Sequence, residues 1–165
     1  MDDGTNWKSW IESHAAVLLL YARQWSPLQS DAEDVLQEAF LRFWKNRHDA
    51  QDPKAYMFAC VRSAGVDFLR ARRSRDRFEQ QARLDRSNLE WFRLSDEGDE
   101  TRIAVAAALR RLPSEQQETV ILKIWGNLTF EQIGRTMQVS PHTAASRYRY
   151  ALLSLKKWLL QDQLS

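Results

Sequence analysis

The stretch that most constrains the fold is 129–155, TFEQIGRTMQVSPHTAASRYRYALLSL, because it carries the start signals of two helices around one short connection. Thr129 stands where it can cap the first helix, and Gln132 three residues on completes a capping box. Phe130, Ile133 and Met137 fall on one face at helical spacing. Gln138-Val139-Ser140 forms the connection, with Val139 as its apolar plug. Ser140 then takes an N-cap position, Pro141 the first helical position, where its missing N–H costs nothing, and Thr143 the first turn. On the second helix Ala144, Tyr148, Ala151, Leu152 and Leu155 are expected to face the core, and His142, Ala145, Ser146, Arg149, Tyr150 and Leu153 to point away. Ser, Arg and Tyr near a helix N-terminus suit a major groove, where base edges and phosphates are both in reach. The pattern predicts a helix-turn-helix. An ordinary helical hairpin has the same periodicity, so this stretch alone leaves both readings open.

The rest of the chain is equally short of loop material. Its 165 residues include only five Gly and four Pro, with 44% hydrophobic and 28% charged residues, a helix-rich globular composition. Seven Trp and seven Phe supply large apolar areas for a core. Net charge is only +2, so any affinity for nucleic acid has to come from local clusters. The single cysteine, Cys60, excludes an intrachain disulfide. The longest apolar run, Ala15 to Ala22, is too short for a bilayer, and no cationic leader precedes it. A cytoplasmic protein is expected.

In chain order, Trp7 to Trp25 predicts a first helix with Trp10, Ile11, His14, Val17, Leu18 and Tyr21 as its stripe, ended by Ser26-Pro27. His14 in that stripe reads as packing. Ser30 and Glu33 form a capping box that opens a second helix, running to about Asn46. Val35, Leu36, Ala39, Phe40 and Phe43 occupy one side of it. Asp34, Gln37, Glu38, Arg42 and Lys45 occupy the other, with Trp44 near the edge. Such a charged side is usually solvated, but a half-exposed Trp beside mixed charges is also a typical interface anchor.

Asp52-Pro53 starts a third helix through about Arg83, with Tyr56, Ala59, Cys60, Ser63, Val66, Phe68 and Leu69 inward. Cys60 then behaves as a small buried hydrophobe. The helix turns basic at Arg62, Arg70, Arg72, Arg73, Arg75 and Arg77, downstream of Tyr56 and Phe58. Arginines neutralise phosphates and rings stack on unpaired bases, so the pattern fits single-stranded nucleic acid. It fits equally a solvated basic helix end with its aromatics in the core. Periodicity fades from Asp85 to Glu100, an acidic segment interrupted by Trp91-Phe92 and expected to link two helical domains. Beyond it, Ile103, Val105, Ala106, Leu109 and Leu112 share a helix ending at Pro113. Ser114 and Gln117 make a third capping box, and Gly126-Asn127 stops that helix.

Chemistry-bearing constellations are missing. There is no Gly-rich phosphate loop and no Cys/His set with metal-ligand spacing, and His14, His48 and His142 belong to different elements. No nucleophile is paired with a base. No catalytic residue, metal, cofactor or small-molecule substrate is expected.

Taken in order, the elements resemble a bacterial RNA polymerase sigma factor of the extracytoplasmic-function type, within the sigma-70 family. Asp31 to Trp44, DAEDVLQEAFLRFW, looks like that family's core-polymerase-binding helix. Ala55 to Arg62 and Asp67 to Arg70 look like its promoter-melting and minus-ten-reading segment, and Leu109-Arg-Arg-Leu-Pro113 with 128–155 like its minus-thirty-five-reading domain. The resemblance implies an all-α fold of two small helical domains, 2–84 and 100–165, joined by an acidic linker, 85–99. It implies that Asp34, Gln37, Glu38, Arg42 and Trp44 bind core RNA polymerase. Tyr56, Phe58, Arg62, Arg70, Arg72 and Arg73 then meet the melted nontemplate strand of the minus-ten element. His142, Thr143, Ser146, Arg147, Arg149 and Tyr150 meet the minus-thirty-five duplex. Ala145 stands where the family usually has a basic residue and Tyr150 where an arginine is common, leaving Arg147 either on phosphate or in an internal ion pair. The implied partners are core polymerase, promoter DNA and an anti-sigma protein. A free-standing helix-turn-helix regulator and a nucleic-acid-processing enzyme are the alternatives.

Overall fold

Apolar residues recur at three and four along almost every described segment, and these segments form helices. The structure is a computed structural model that describes residues 7–73 and 99–164. Its elements are α1 (Trp7–Ala22), α2 (Gln29–Asn46), a 3₁₀ turn (Arg47–Asp49), α3 (Pro53–Arg73), α4 (Asp99–Arg111), α5 (Ser114–Val120), α6 (Phe130–Met137) and α7 (Pro141–Leu164). Among the described residues there is no strand. The acidic stretch expected as a linker lies outside them, apart from its last residue, as do Arg75 and Arg77.

In the N-terminal half α1 and α2 pack on α3. Tyr21 and Phe58 meet edge to face at 5.9 Å, and Phe43 lies 5.8 Å from Tyr56. Gly65 lets the turn after α1 come close, since a Cβ there would stand 2.4 Å from the Trp25 ring. The first helix stops at Ala22, earlier than expected, and Trp25 packs from the turn that follows. His14 stacks on Trp10 at 4.1 Å and bonds its carbonyl at 2.8 Å, a packing role.

Start signals succeeded only where the cap could bond backbone N–H groups. Asp52 accepts from Ala55 N–H at 3.2 Å, Thr129 and Gln132 form their reciprocal box, and Ser140 accepts from Thr143 N–H at 3.0 Å. The boxes expected at Ser30 and Ser114 do not form. Helix α2 begins at Gln29 behind Leu28 at the N-cap, so Ser30 is already inside it; Ser26 accepts from Leu28 N–H at 3.3 Å just ahead of the helix. Ser114 is likewise the first residue of α5, behind Pro113.

Helix α5 widens into one looser turn, Ile121–Trp125, where the Gly126 N–H reaches back to the Ile121 carbonyl at 2.9 Å. Asn127, at φ 54°, then reverses the chain toward α6. The α6–α7 turn rests on Gln138 at φ 59° and on Gly134, where a Cβ would meet the Val139 carbonyl oxygen at 2.6 Å. Phe130 and Tyr148 close the pair at 5.7 Å. Leu152, expected inward, is 38% exposed.

The inward face of α3 also differs from expectation. Ala55, Met57, Phe58, Cys60, Val61, Ala64 and Gly65 are buried, whereas Ser63 is exposed and Tyr56, Ala59 and Val66 are half-buried. A single apolar stripe was anticipated, but α3 is covered twice, by α1 and α2 and again by α6 of the C-terminal half. Leu18, Tyr21, Phe43 and Phe58 therefore share one continuous buried cluster with Leu109, Ile121, Leu128 and Ile133.

Candidate nucleic-acid interface

Three surfaces follow from these elements. On α2 the solvent side carries Asp34, Gln37, Glu38 and Trp44, all exposed and recurring at helical spacing. Trp44 is 53% exposed and Leu41, on the same stripe, 67%. Leu41 was missed at first sight, although a large apolar residue three and four places from Glu38 and Gln37 signals an apolar contact on a polar face. Arg42 is not free at this surface. It bonds Glu38 at 3.0 Å, Asp67 at 3.1 Å and the Ser63 hydroxyl at 2.8 Å, a tie between α2 and α3. These carboxylates raise its pKa although burial acts against its charge.

On α3 the six candidates separate. Arg70 and Arg73 are exposed at the basic end of the helix. Arg72 instead donates to Asp31 at 2.8 Å, where Ser26 also bonds, and lies 5.5 Å over the Phe68 ring. Phe58 is a correction, because its ring is 0% exposed and has no face to offer a base. Packing against Tyr21 accounts for it. Tyr56 is half-buried and lines a 230 Å³ cleft with Asp52, Ala55 and Ala59, closed on one side by Arg135 of α6. Burial raises the Tyr56 phenol and the Cys60 thiol above their ordinary pKa values, and Cys60 is the inert, buried residue expected.

Arg62 takes part in a buried polar cluster between the two halves. Its Nε donates to Glu118 Oε1 at 2.9 Å, and Tyr21 donates to the same oxygen at 2.9 Å. Tyr21 is 0% and Glu118 5% exposed. Burial pushes the Glu118 carboxyl above the usual carboxylate range in spite of these two donors. Burial and the neighbouring carboxylate hold the Tyr21 phenol well above its ordinary value. Glu118 is not among the sequence candidates; its signal there is an acid one residue ahead of the apolar run Val120-Ile-Leu122.

On α7, His142, Arg149 and Tyr150 are exposed, Thr143 and Ser146 half-buried. Arg149 lies 5.5 Å from the Tyr150 ring. The Thr143 hydroxyl is bonded to Ser140 at 3.0 Å, so it serves the start of the helix. Arg147 pairs with Glu115 at 3.7 Å, the internal option of the two foreseen. Among the described residues no His, Cys, Asp and Glu are grouped to hold a metal ion, and no helix is long and apolar enough to cross a membrane.

Comparison with known proteins agrees with this layout. Residues 10–75 match the family model of sigma-70 region 2, and 102–155 that of sigma-70 region 4. The chain is 28% identical over 151 residues to the ECF RNA polymerase sigma factor SigL of Mycobacterium tuberculosis, covering 88% of this chain and 84% of that protein. It is 27% identical over 135 residues to SigK of Mycobacterium bovis, covering 78% and 72%. Among solved structures, the sigma factor RpoE of Bartonella quintana, in complex with the anti-sigma factor NepR, superposes with a TM-score of 0.66 at 21% identity, over 92% of this chain and 97% of that one. The chain belongs to the extracytoplasmic-function sigma factors of the sigma-70 family. It is an alternative sigma factor, which binds core RNA polymerase and directs promoter-specific transcription initiation.

Proposed function

We propose that the three surfaces divide the work of initiation, in a cytoplasmic protein without catalytic activity of its own. Asp34, Gln37, Glu38 and Trp44, with Leu41 added and Arg42 holding α2 to α3, dock on core polymerase. Tyr56, Arg62, Arg70 and Arg73 receive the melted minus-ten strand, and Arg72 and Phe58 hold the helix that presents them. His142, Ser146, Arg149 and Tyr150 meet the minus-thirty-five duplex, with Thr143 and Arg147 positioning α7. The units are the domains 2–84 and 100–165 with 85–99 between them. An anti-sigma protein is the regulatory partner, by analogy with the Bartonella quintana sigma factor solved with NepR.

The observation that carries this reading is the exposed stripe of α2, where Leu41 and Trp44 stand in solvent among acids and amides. Apolar side chains held in that setting form the centre of a protein contact with a polar rim. Run-off transcription with core polymerase on upstream regions of the source genome tests it. Promoter-dependent transcripts that disappear with Trp44→Ala support the assignment. Specific duplex binding without polymerase, and no transcript with it, would support a free-standing regulator instead.

A further inference from the structure

We propose that Glu115 sets how tightly α7 grips duplex DNA, by holding the Arg147 guanidinium back from a backbone phosphate. The proposal rests on the reading of α7 as the duplex contact. Arg147 stands four residues after Thr143 and three before Tyr150, at the edge of the outward row His142, Ser146, Arg149 and Tyr150. Its side chain is 25% exposed, and Nη2 lies 3.7 Å from Oε2 of Glu115 in the first turn of α5. An arginine at the rim of a recognition row is placed to meet the backbone beside the groove. Glu115 competes for the same guanidinium, since carboxylate and phosphate offer it the same kind of anionic oxygen.

As a tie between α5 and α7 the pair is loose. Its 3.7 Å separation is beyond hydrogen-bond length, and the Glu115 side chain is 63% exposed, so water screens the attraction and little stability comes from it. Its effect on DNA is larger, because the outward row is poor in charge. From Ser140 to Ala151 the permanent cations are Arg147 and Arg149 alone. Releasing Arg147 therefore adds a second cation to one. The Glu115 carboxylate also stands within a Debye length of any phosphate that Arg147 could meet, and repels it. Glu115 thus lowers affinity without touching a base, and to the same degree for every sequence.

The test titrates the full chain with a random-sequence pool of duplex DNA across a salt series. E115Q raises affinity for the pool roughly fivefold and steepens the slope of log affinity against log salt by about one unit. Its melt by circular dichroism stays close to that of the wild type. In an R147Q background the same substitution brings no gain in slope. Should R147Q fail to fold, Arg147→Met, which keeps the apolar stem, takes its place. An unchanged slope for E115Q overturns the proposal. So does an equal gain in the R147Q background, which would make Glu115 a repulsive charge acting without Arg147. A lowered melt with weaker binding would make the pair a brace for α7 and overturns it too. His142→Ala separates this from the underlying reading. If it weakens binding to the pool while E115Q changes nothing, α7 meets the duplex and only the role of Glu115 fails. If neither changes binding, the duplex reading of α7 fails and the proposal with it.

Discussion

The Arg47 guanidinium lies 3.6 Å from the centre of the Trp44 ring and donates to the Trp44 carbonyl as well. One face of an exposed indole is thus held by its own chain, and the other stays open. A side chain fixed before docking loses less freedom when it docks.

The first prediction concerns this pair. Glu38→Lys with Trp44→Ala weakens binding to core polymerase and leaves the fold intact, because Trp44 is 53% exposed. A buried Trp would lose about 3–5 kcal/mol on truncation, so a melt near that of the wild type separates interface from core. Arg47→Ala gives a smaller loss of affinity, about 0.5–1 kcal/mol for an exposed cation–π contact. An unchanged pull-down with a folded double variant would place the polymerase contact elsewhere.

The arginines of α3 divide into two groups by measurement. Neutralising the exposed pair Arg70 and Arg73 to Gln lowers the slope of log affinity against log salt by roughly 1.5 units, for any DNA sequence. Arg72→Gln leaves the Asp31 carboxylate short of a donor and costs about 1–3 kcal/mol of stability, read by urea titration. Equal effects of all three on the salt slope would contradict the ion pair with Asp31 as Arg72's main task.

On α7, Arg149 is the exposed long donor able to bond a guanine edge in two places, a contact worth about 1–3 kcal/mol of discrimination. Arg149→Ala lowers transcription from the cognate promoter and relaxes preference at one or two minus-thirty-five positions. His142→Ala weakens binding evenly across sequences, since it sits at the helix N-terminus, where phosphates are met. Both are read in run-off assays over promoter variants at one salt concentration. A preference profile unmoved by Arg149→Ala would turn the helix so that Ser146 and Tyr150 carry the base contacts.

A pH prediction follows from Glu118, which faces Tyr21 and Arg62 across the interface and Glu115 on its own helix. Its pKa is raised in the folded chain, so the folded state binds a proton more tightly than the unfolded one. The contribution is complete below the unfolded value and is lost as pH rises through the folded one. Denaturant titrations across that window show the wild type losing stability relative to E118Q as pH increases. Parallel curves for the two proteins would mean that the carboxyl titrates normally.

Much of this architecture was legible because local signals coincided. Thr129 and Gln132, Ser140 and Pro141, Asp52 and Pro53 mark helix starts that depend on nearby backbone alone. Ser30 and Ser114 misled because Leu28 and Pro113 already take the cap positions, and a capping box does not announce how far a helix extends upstream. The faces of α3 were harder. Periodicity tells which residues share a side, but α3 has two covered sides, and the second belongs to α6, far away in sequence. Phe58 is covered by Tyr21 of α1, and Glu118 of α5 meets Tyr21 and Arg62, contacts between segments that local periodicity does not bring together. Of the candidate site, the α2 stripe and the outward face of α7 were visible as exposed helical rows, whereas the partners of Arg62, Arg72 and Arg147 are products of tertiary packing.

The sharing of one buried cluster by both halves has a consequence for protein engineering. The two halves match separate family models, so joining the first half of one family member to the second half of another is an obvious design for a new promoter preference. In this chain such a splice would separate Tyr21 and Arg62 from Glu118, and Ala55 from Thr136. A donor half that brings an apolar residue to position 118 would strand the Arg62 charge, and one that brings a bulky residue to position 136 would hold α6 off α3. Compatible donors are those whose second half supplies an acid and a small hydroxyl at these two places, whatever else their recognition helices contain.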